Sequence, residues 1–144
     1  MPTSSPTPVL PVPTPETRFF WEGTRAGELR FQKCRACAKA IFPPRPFCPH
    51  CLSDKLEVVS ASGVATLLTY VISHLPVPGF TPPYSIAVVR LEEGPQMLTN
   101  IVNCPQSPES LELDMRLKVI FKKASDDIWL PLFEPYPVRE GVSA

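Results

Sequence analysis

Between residues 56 and 133 apolar side chains recur at alternate positions or in short runs, not at helical spacing. Residues 56–59 read as a short strand, and 64–74 as a long one rich in β-branched side chains. Residues 84–91 alternate, then turn through Glu92-Glu93-Gly94-Pro95 into a strand at 97–102. Residues 117–123 turn through Ser125-Asp126-Asp127 into 128–133. Five main strands in about 75 residues predict a mainly β fold whose C-terminal part, 61–135, is a five-stranded OB-fold barrel. A βαβ layout would need crossover helices that the sequence does not supply.

Upstream, residues 17–29 carry the one clear helical signal, with Thr17 placed to cap it and no proline inside. Phe19, Phe20 and Trp21 are consecutive, and each helical step turns about 100°, so the three rings cannot share one face. Either the helix buries a wide face, or at least one ring packs on a partner. Short strands at 29–33 and 39–42 follow, framing two cysteine pairs. The helix and these pairs predict a unit at 17–60. It lies between a proline-rich tail or linker at 1–16 and a short C-terminal tail at 136–144.

Composition sharpens this picture. The 144 residues hold 20 prolines and only 6 glycines, which excludes long helices over most of the chain. Hydrophobic residues make up 44%, enough for a core. Lys plus Arg equals Asp plus Glu at 14 each, but residues 61–144 hold nine acids against six bases. That balance counts against nucleic acid as a partner. No apolar run approaches the roughly 18–20 residues of a membrane helix. The start does not read as a signal peptide, and paired cysteines fit a reducing compartment, so a cytoplasmic location is expected.

The cysteines carry the chemistry. Cys34 and Cys37, then Cys48 and Cys51, form two C-x2-C knuckles separated by ten residues. Such knuckles on a hairpin supply a tetrahedral thiolate cage for one zinc ion, and four sulfurs leave no open position for an activated water. The site reads as structural. His50, inside the second knuckle, reads as exposed, and His74, which has no partner at catalytic spacing, as a surface or hydrogen-bonded histidine. Cys104 reads as a small buried hydrophobe. No phosphate loop or catalytic motif appears, so catalysis by this chain is not expected. The loop at 75–84, with four prolines, Phe80 and Tyr84, is stiff and apolar; it either meets a partner or caps the barrel.

Several motifs in order resemble one family. They are Phe19-Phe20-Trp21-Glu22-Gly23, Gly27-Glu28-Leu29-Arg30, the knuckles around Pro43-Pro44-Arg45, Ser62-Gly63, Pro83-Tyr84 and Leu91-Glu92-Glu93-Gly94. Over residues 17–135 the chain resembles the zinc-ribbon/OB-fold family associated with acyl-CoA enzymes, domain of unknown function family 35. The resemblance implies a rubredoxin-like zinc ribbon and a non-catalytic subunit in a hetero-oligomer. Its partner would be a thiolase-like enzyme, such as a lipid-transfer-protein-like retro-aldolase of steroid side-chain degradation. Phe19, Phe20, Trp21, Phe80 and Tyr84 are the expected partner-binding residues. An acyl-CoA contact near Lys33, Arg35 and Arg45 is the alternative, with nucleic-acid binding behind it. Where relatives carry glycine after each knuckle, this chain has Ala38 and Leu52, and Asp114 stands at a further glycine-type turn. Those positions often take positive φ.

Overall fold

The computed structural model describes residues 9–136; the outer parts of both expected tails, 1–8 and 137–144, lie outside them. A helix, α1 (Arg18–Arg25), leads into a small antiparallel sheet of β1 (Arg30–Cys34), β2 (Ala40–Ile41) and β3 (Leu56–Ser60), in the order β2-β1-β3. A second sheet follows, made of β4 (Val64–Ser73), β5 (Tyr84–Leu91), β6 (Gln96–Thr99), β7 (Arg116–Lys123) and β8 (Trp129–Pro135). Its order is β6-β5-β4-β7-β8. The sheet curls until its edges meet. Just past β6, Ile101 forms a parallel bridge to Phe133. The Val102 N–H donates to the Phe133 carbonyl at 2.8 Å, and the Phe133 N–H to the Asn100 carbonyl at 3.1 Å. This is the connectivity of an OB-fold.

The core lies inside the curl. Phe133, Leu67, Leu117, Val89 and Leu91 are fully buried there, and Phe20 and Leu29 from the N-terminal unit join the same cluster. Strand β4 does not keep one alternation. Ala65 and Leu67 point inward, but a bulge between Leu67 and Thr69 shifts the register, after which Tyr70 and Ile72 pack against the core. Val71, in the middle of a β-branched run, is thereby turned outward and is 61% exposed.

The helix is shorter than the sequence predicts. Gly27 has φ +81°, its N–H donates to the Thr24 carbonyl, and the Glu28 N–H donates to the Gly23 carbonyl at 2.7 Å. That pattern is a Schellman stop, with glycine at the one position that must be left-handed. Thr17 does not cap with its side chain; its hydroxyl instead accepts from the Thr14 N–H at 2.8 Å. An eight-residue helix has little stability of its own. Burying Phe20, worth about 2–3 kcal/mol, holds it in place.

Three residues, 61–63, join β3 to β4. The Ser62 N–H donates to Glu93 Oε2 at 2.6 Å, and its hydroxyl to Glu92 Oε2 at 3.2 Å, which latches the junction to the β5–β6 turn. Gly63 has φ +86°, and a Cβ there would stand 2.8 Å from Val119 Cγ1. Gly63→Ala is therefore expected to cost about 2–3 kcal/mol in urea unfolding, from left-handed strain plus overpacking. Gly94 has φ +114°, so Gly94→Ala should also carry backbone strain, but with nothing within 4 Å of its Cβ it lacks the overpacking part of the cost.

Candidate metal centre and docking face

Each cysteine pair sits on a turn closed by backbone hydrogen bonds. The Ala38 N–H donates to the Cys34 carbonyl and the Leu52 N–H to the Cys48 carbonyl, both at 2.8 Å. The Cys37 N–H points at Cys34 Sγ at 3.4 Å, and the His50 N–H at Cys48 Sγ at 3.3 Å. Ala38 and Leu52 each have φ 65°, and Asp114 has φ 67°. The knuckle backbone takes the left-handed conformation without glycine.

All four sulfurs lie within 4.8 Å of one another, and Cys34–Cys51 and Cys37–Cys48 are each 3.6 Å apart. A zinc tetrahedron with bonds of about 2.3 Å has edges of about 3.8 Å, so the cage fits one zinc ion. Charge points the same way. The backbone N–H of Cys37, opposed by desolvation, brings the Cys34 thiol down to about 7. Although the Ser53 N–H draws Cys51 down, desolvation and the sulfurs of Cys34, Cys48 and Cys37 push it up to about 12. Four thiolates repel one another unless a cation sits between them. Gln32 braces the cage from β1: its amide donates to the Arg45 carbonyl at 2.9 Å and accepts from the Arg45 N–H at 2.8 Å. This clamp holds the proline-rich approach to the second knuckle. Lys33, Arg35 and Arg45 lie exposed on the ribbon, and Arg35 pairs with Glu57 at 3.5 Å.

The aromatic residues separate. Phe20 is 6% exposed and committed to the core, so it has no face to offer a partner. Phe19 and Trp21 are half-buried against that core. Trp21 meets Phe20 edge-on at 4.9 Å and also lines an apolar groove with Phe80, Phe42 and Leu98. Phe80 packs on Tyr84 with ring centroids 4.9 Å apart. Trp21, Phe80 and Tyr84 are thus brought to one side of the barrel, over the seam where β6 meets β8, and Phe19 is not among the groove residues. His50 and His74 are exposed. Cys104 is half-buried against the core, and burial raises its thiol pKa.

Sequence reading missed the floor of that groove: Leu98 on β6, and Leu130 and Leu132 on β8. Leu98 is 69% exposed. A signal existed. Met97 and Thr99 supply the inward parity of β6, so Leu98 is an apolar side chain on the outward parity, where a solvated strand carries polar ones.

Residues 21–57 match the family described as ChsH2, rubredoxin-like zinc ribbon domain, and residues 58–122 match ChsH2, C-terminal OB-fold domain. A solved structure described as "Ltp2-ChsH2(DUF35) aldolase" is similar with a TM-score of 0.79 and 33% identity, covering 88% of this chain and 98% of that one. The chain belongs to the DUF35 family. A DUF35 domain-containing scaffold protein of Methanothermobacter thermautotrophicus is 34% identical, over 66% of this chain and 72% of that protein. Two longer relatives also match. A probable enoyl-CoA hydratase alpha subunit of Thermomonospora curvata is 33% identical over 87% of this chain, which spans 39% of that protein's length. The 3-oxo-4,17-pregnadiene-20-carboxyl-CoA hydratase alpha subunit of Mycobacterium tuberculosis is 36% identical over 73% of this chain and 34% of that protein. No helix among the described residues is long and apolar enough to cross a membrane.

Ala38→Gly and Leu52→Gly should each stabilise the metal-loaded protein by about 0.5–1 kcal/mol. Relief of left-handed strain at φ 65° outweighs the extra freedom of glycine in the unfolded chain. Thermal unfolding of the zinc-loaded variants tests this. Acidification should release zinc, because protons compete for thiolates, and the ribbon should unfold with it. A zinc-sensitive dye together with circular dichroism would follow both events.

Proposed function

We propose that this chain is a non-catalytic subunit that docks on a thiolase-superfamily enzyme and supports its activity on acyl-CoA thioesters. The likeness at 98% coverage to a chain of an assembly described as an Ltp2–ChsH2 aldolase carries this reading, and favours a lipid-transfer-protein-like retro-aldolase or thiolase as the partner. The named product of the M. tuberculosis relative, a steroid acyl-CoA hydratase subunit, favours steroid side-chain degradation as the setting. The word scaffold in the archaeal relative's name fits a subunit that organises chemistry done elsewhere.

The chain's own geometry supports a docking role. Cys34, Cys37, Cys48 and Cys51 hold a closed structural zinc, with no vacant coordination position for substrate. Among the described residues no buried side-chain nitrogen or oxygen lacks a hydrogen-bond partner, so no interior polar group waits for a reacting molecule. The outer barrel face that OB-folds use for recognition carries Ile86, Val88 and Leu98 in place of the basic, aromatic platform that single strands require. An apolar strip with an aromatic rim suits a protein.

Phe80, Tyr84 and Trp21 form that rim, with Leu98 at its centre. Phe80→Ala and Leu98→Asp should each weaken binding to the thiolase-like enzyme by about tenfold or more in titration calorimetry, with zinc content unchanged. A chain that stays alone when mixed with lipid-transfer-protein-like aldolases and thiolases of its own organism would sink the proposal.

A further inference from the structure

The groove over the β6–β8 seam already has an occupant. Residues 9–13 read Val-Leu-Pro-Val-Pro and carry no charge. Val9 is 97% exposed and Val12 80%, yet Leu10 between them is half-buried. Leu10 contributes to two adjoining hollows, of about 610 and 390 Å³, which share Phe80, Asn100, Leu130 and Leu132. Val9 also borders the smaller hollow but stays exposed, so Leu10 is the residue of the segment that the groove half-buries. The chain entering it is also fixed at its exit. The Thr14 N–H donates to the Thr17 hydroxyl at 2.8 Å, and the Thr17 N–H donates to the Thr14 carbonyl at 3.1 Å. The helix start therefore aims the segment across the barrel face.

We infer that residues 9–13 are an intramolecular ligand of this groove, anchored by Leu10, and that the groove is a site for extended, proline-rich peptide. The chemistry suits such a segment. Proline-rich chains are pre-extended and lose little entropy on docking, and they settle on aromatic-lined grooves. Here Trp21, Phe42 and Phe80 supply the aromatic walls, and Leu98, Leu130 and Leu132 the aliphatic floor. Resting on the docking role proposed above, the inference has a second part. The segment borders the strip that a partner enzyme would grip, meeting it at Phe80 and Leu98, so a partner that fills the whole groove must displace it.

The test uses the full chain with Leu10→Asp and Leu10→Met, and methyl NMR of the leucines and of Ile41. In L10D the Leu98, Leu130 and Leu132 methyls should shift while Ile41, in the ribbon, stays put; L10M should resemble the parent. A synthetic peptide of residues 5–15 added to L10D should return those methyls toward their parental positions, and the same peptide bearing L10D should not. Unmoved methyls in L10D would overturn the assignment. So would dimerisation of L10D that accounts for the shifts, because the groove would then belong to a second copy. With the thiolase-like enzyme, L10D should bind several-fold tighter than the parent. Equal affinity would overturn the displacement step. Failure of both forms to bind would strike the docking role and leave the segment's own contact standing on the methyl shifts.

Discussion

Closure of the barrel is the constraint on which the rest of the molecule depends. A five-stranded sheet has two edges, each with unpaired N–H and C=O groups. Here they are joined by the parallel contact of Ile101 with Phe133. Ser85 makes that contact possible from the opposite strand: its hydroxyl donates to the Ile101 carbonyl and accepts from the Ile101 N–H, both at 3.0 Å. Asn100 and Gln106 satisfy the Ser85 carbonyl and N–H in turn. The irregular chain after β6 is thereby bent to the right place with its polar groups paired. Phe133 then fills the interior, and the groove with its apolar floor is the outer surface of the same seam.

The N-terminal unit uses that interior instead of building a large core of its own. Its private cluster is small, with Cys34, Ile41 and Cys48 at the centre. Such a cluster cannot hold a three-stranded sheet without a cross-link, and a metal bound by four thiolates supplies one. Phe20 and Leu29 reach into the barrel core at the other end. The exposed ion pairs, such as Arg25 with Asp127 at 3.9 Å, add little.

Much of this was legible in the residues. Alternation gave the five barrel strands, and the cysteine spacing gave the cage, because two-residue knuckles leave the sulfurs few places to go. The positive φ of Ala38, Leu52 and Asp114 was readable only through the family resemblance, whose members carry glycine at those positions. The helix end was not read, since Gly27 is followed by apolar Leu29, which looks like a further turn but belongs to the core. The bulge at Leu68 was hard to read because Leu67 and Leu68 are adjacent and equally apolar. The only mark of the change of phase is that the outward threonines, Thr66 and Thr69, stand three residues apart, where one alternation would space them by two or four. Phe20 could not be told from Phe19 and Trp21 by composition; only the helix's docking angle decides which ring goes inside. Of the groove floor, Leu130 and Leu132 passed for ordinary strand residues, and only Leu98, apolar on the outward parity of β6, carried a sign.

The latch of Ser62 onto Glu92 and Glu93 bears on mechanics. Three linking residues alone would let the ribbon swing against the barrel. Tying the middle one to the β5–β6 turn, while Phe20 is sunk in the barrel, pins the ribbon at two separated points and removes that hinge. The metal-bearing end and the grooved end then move as one stiff body. An enzyme gripping either end would set the orientation of the other.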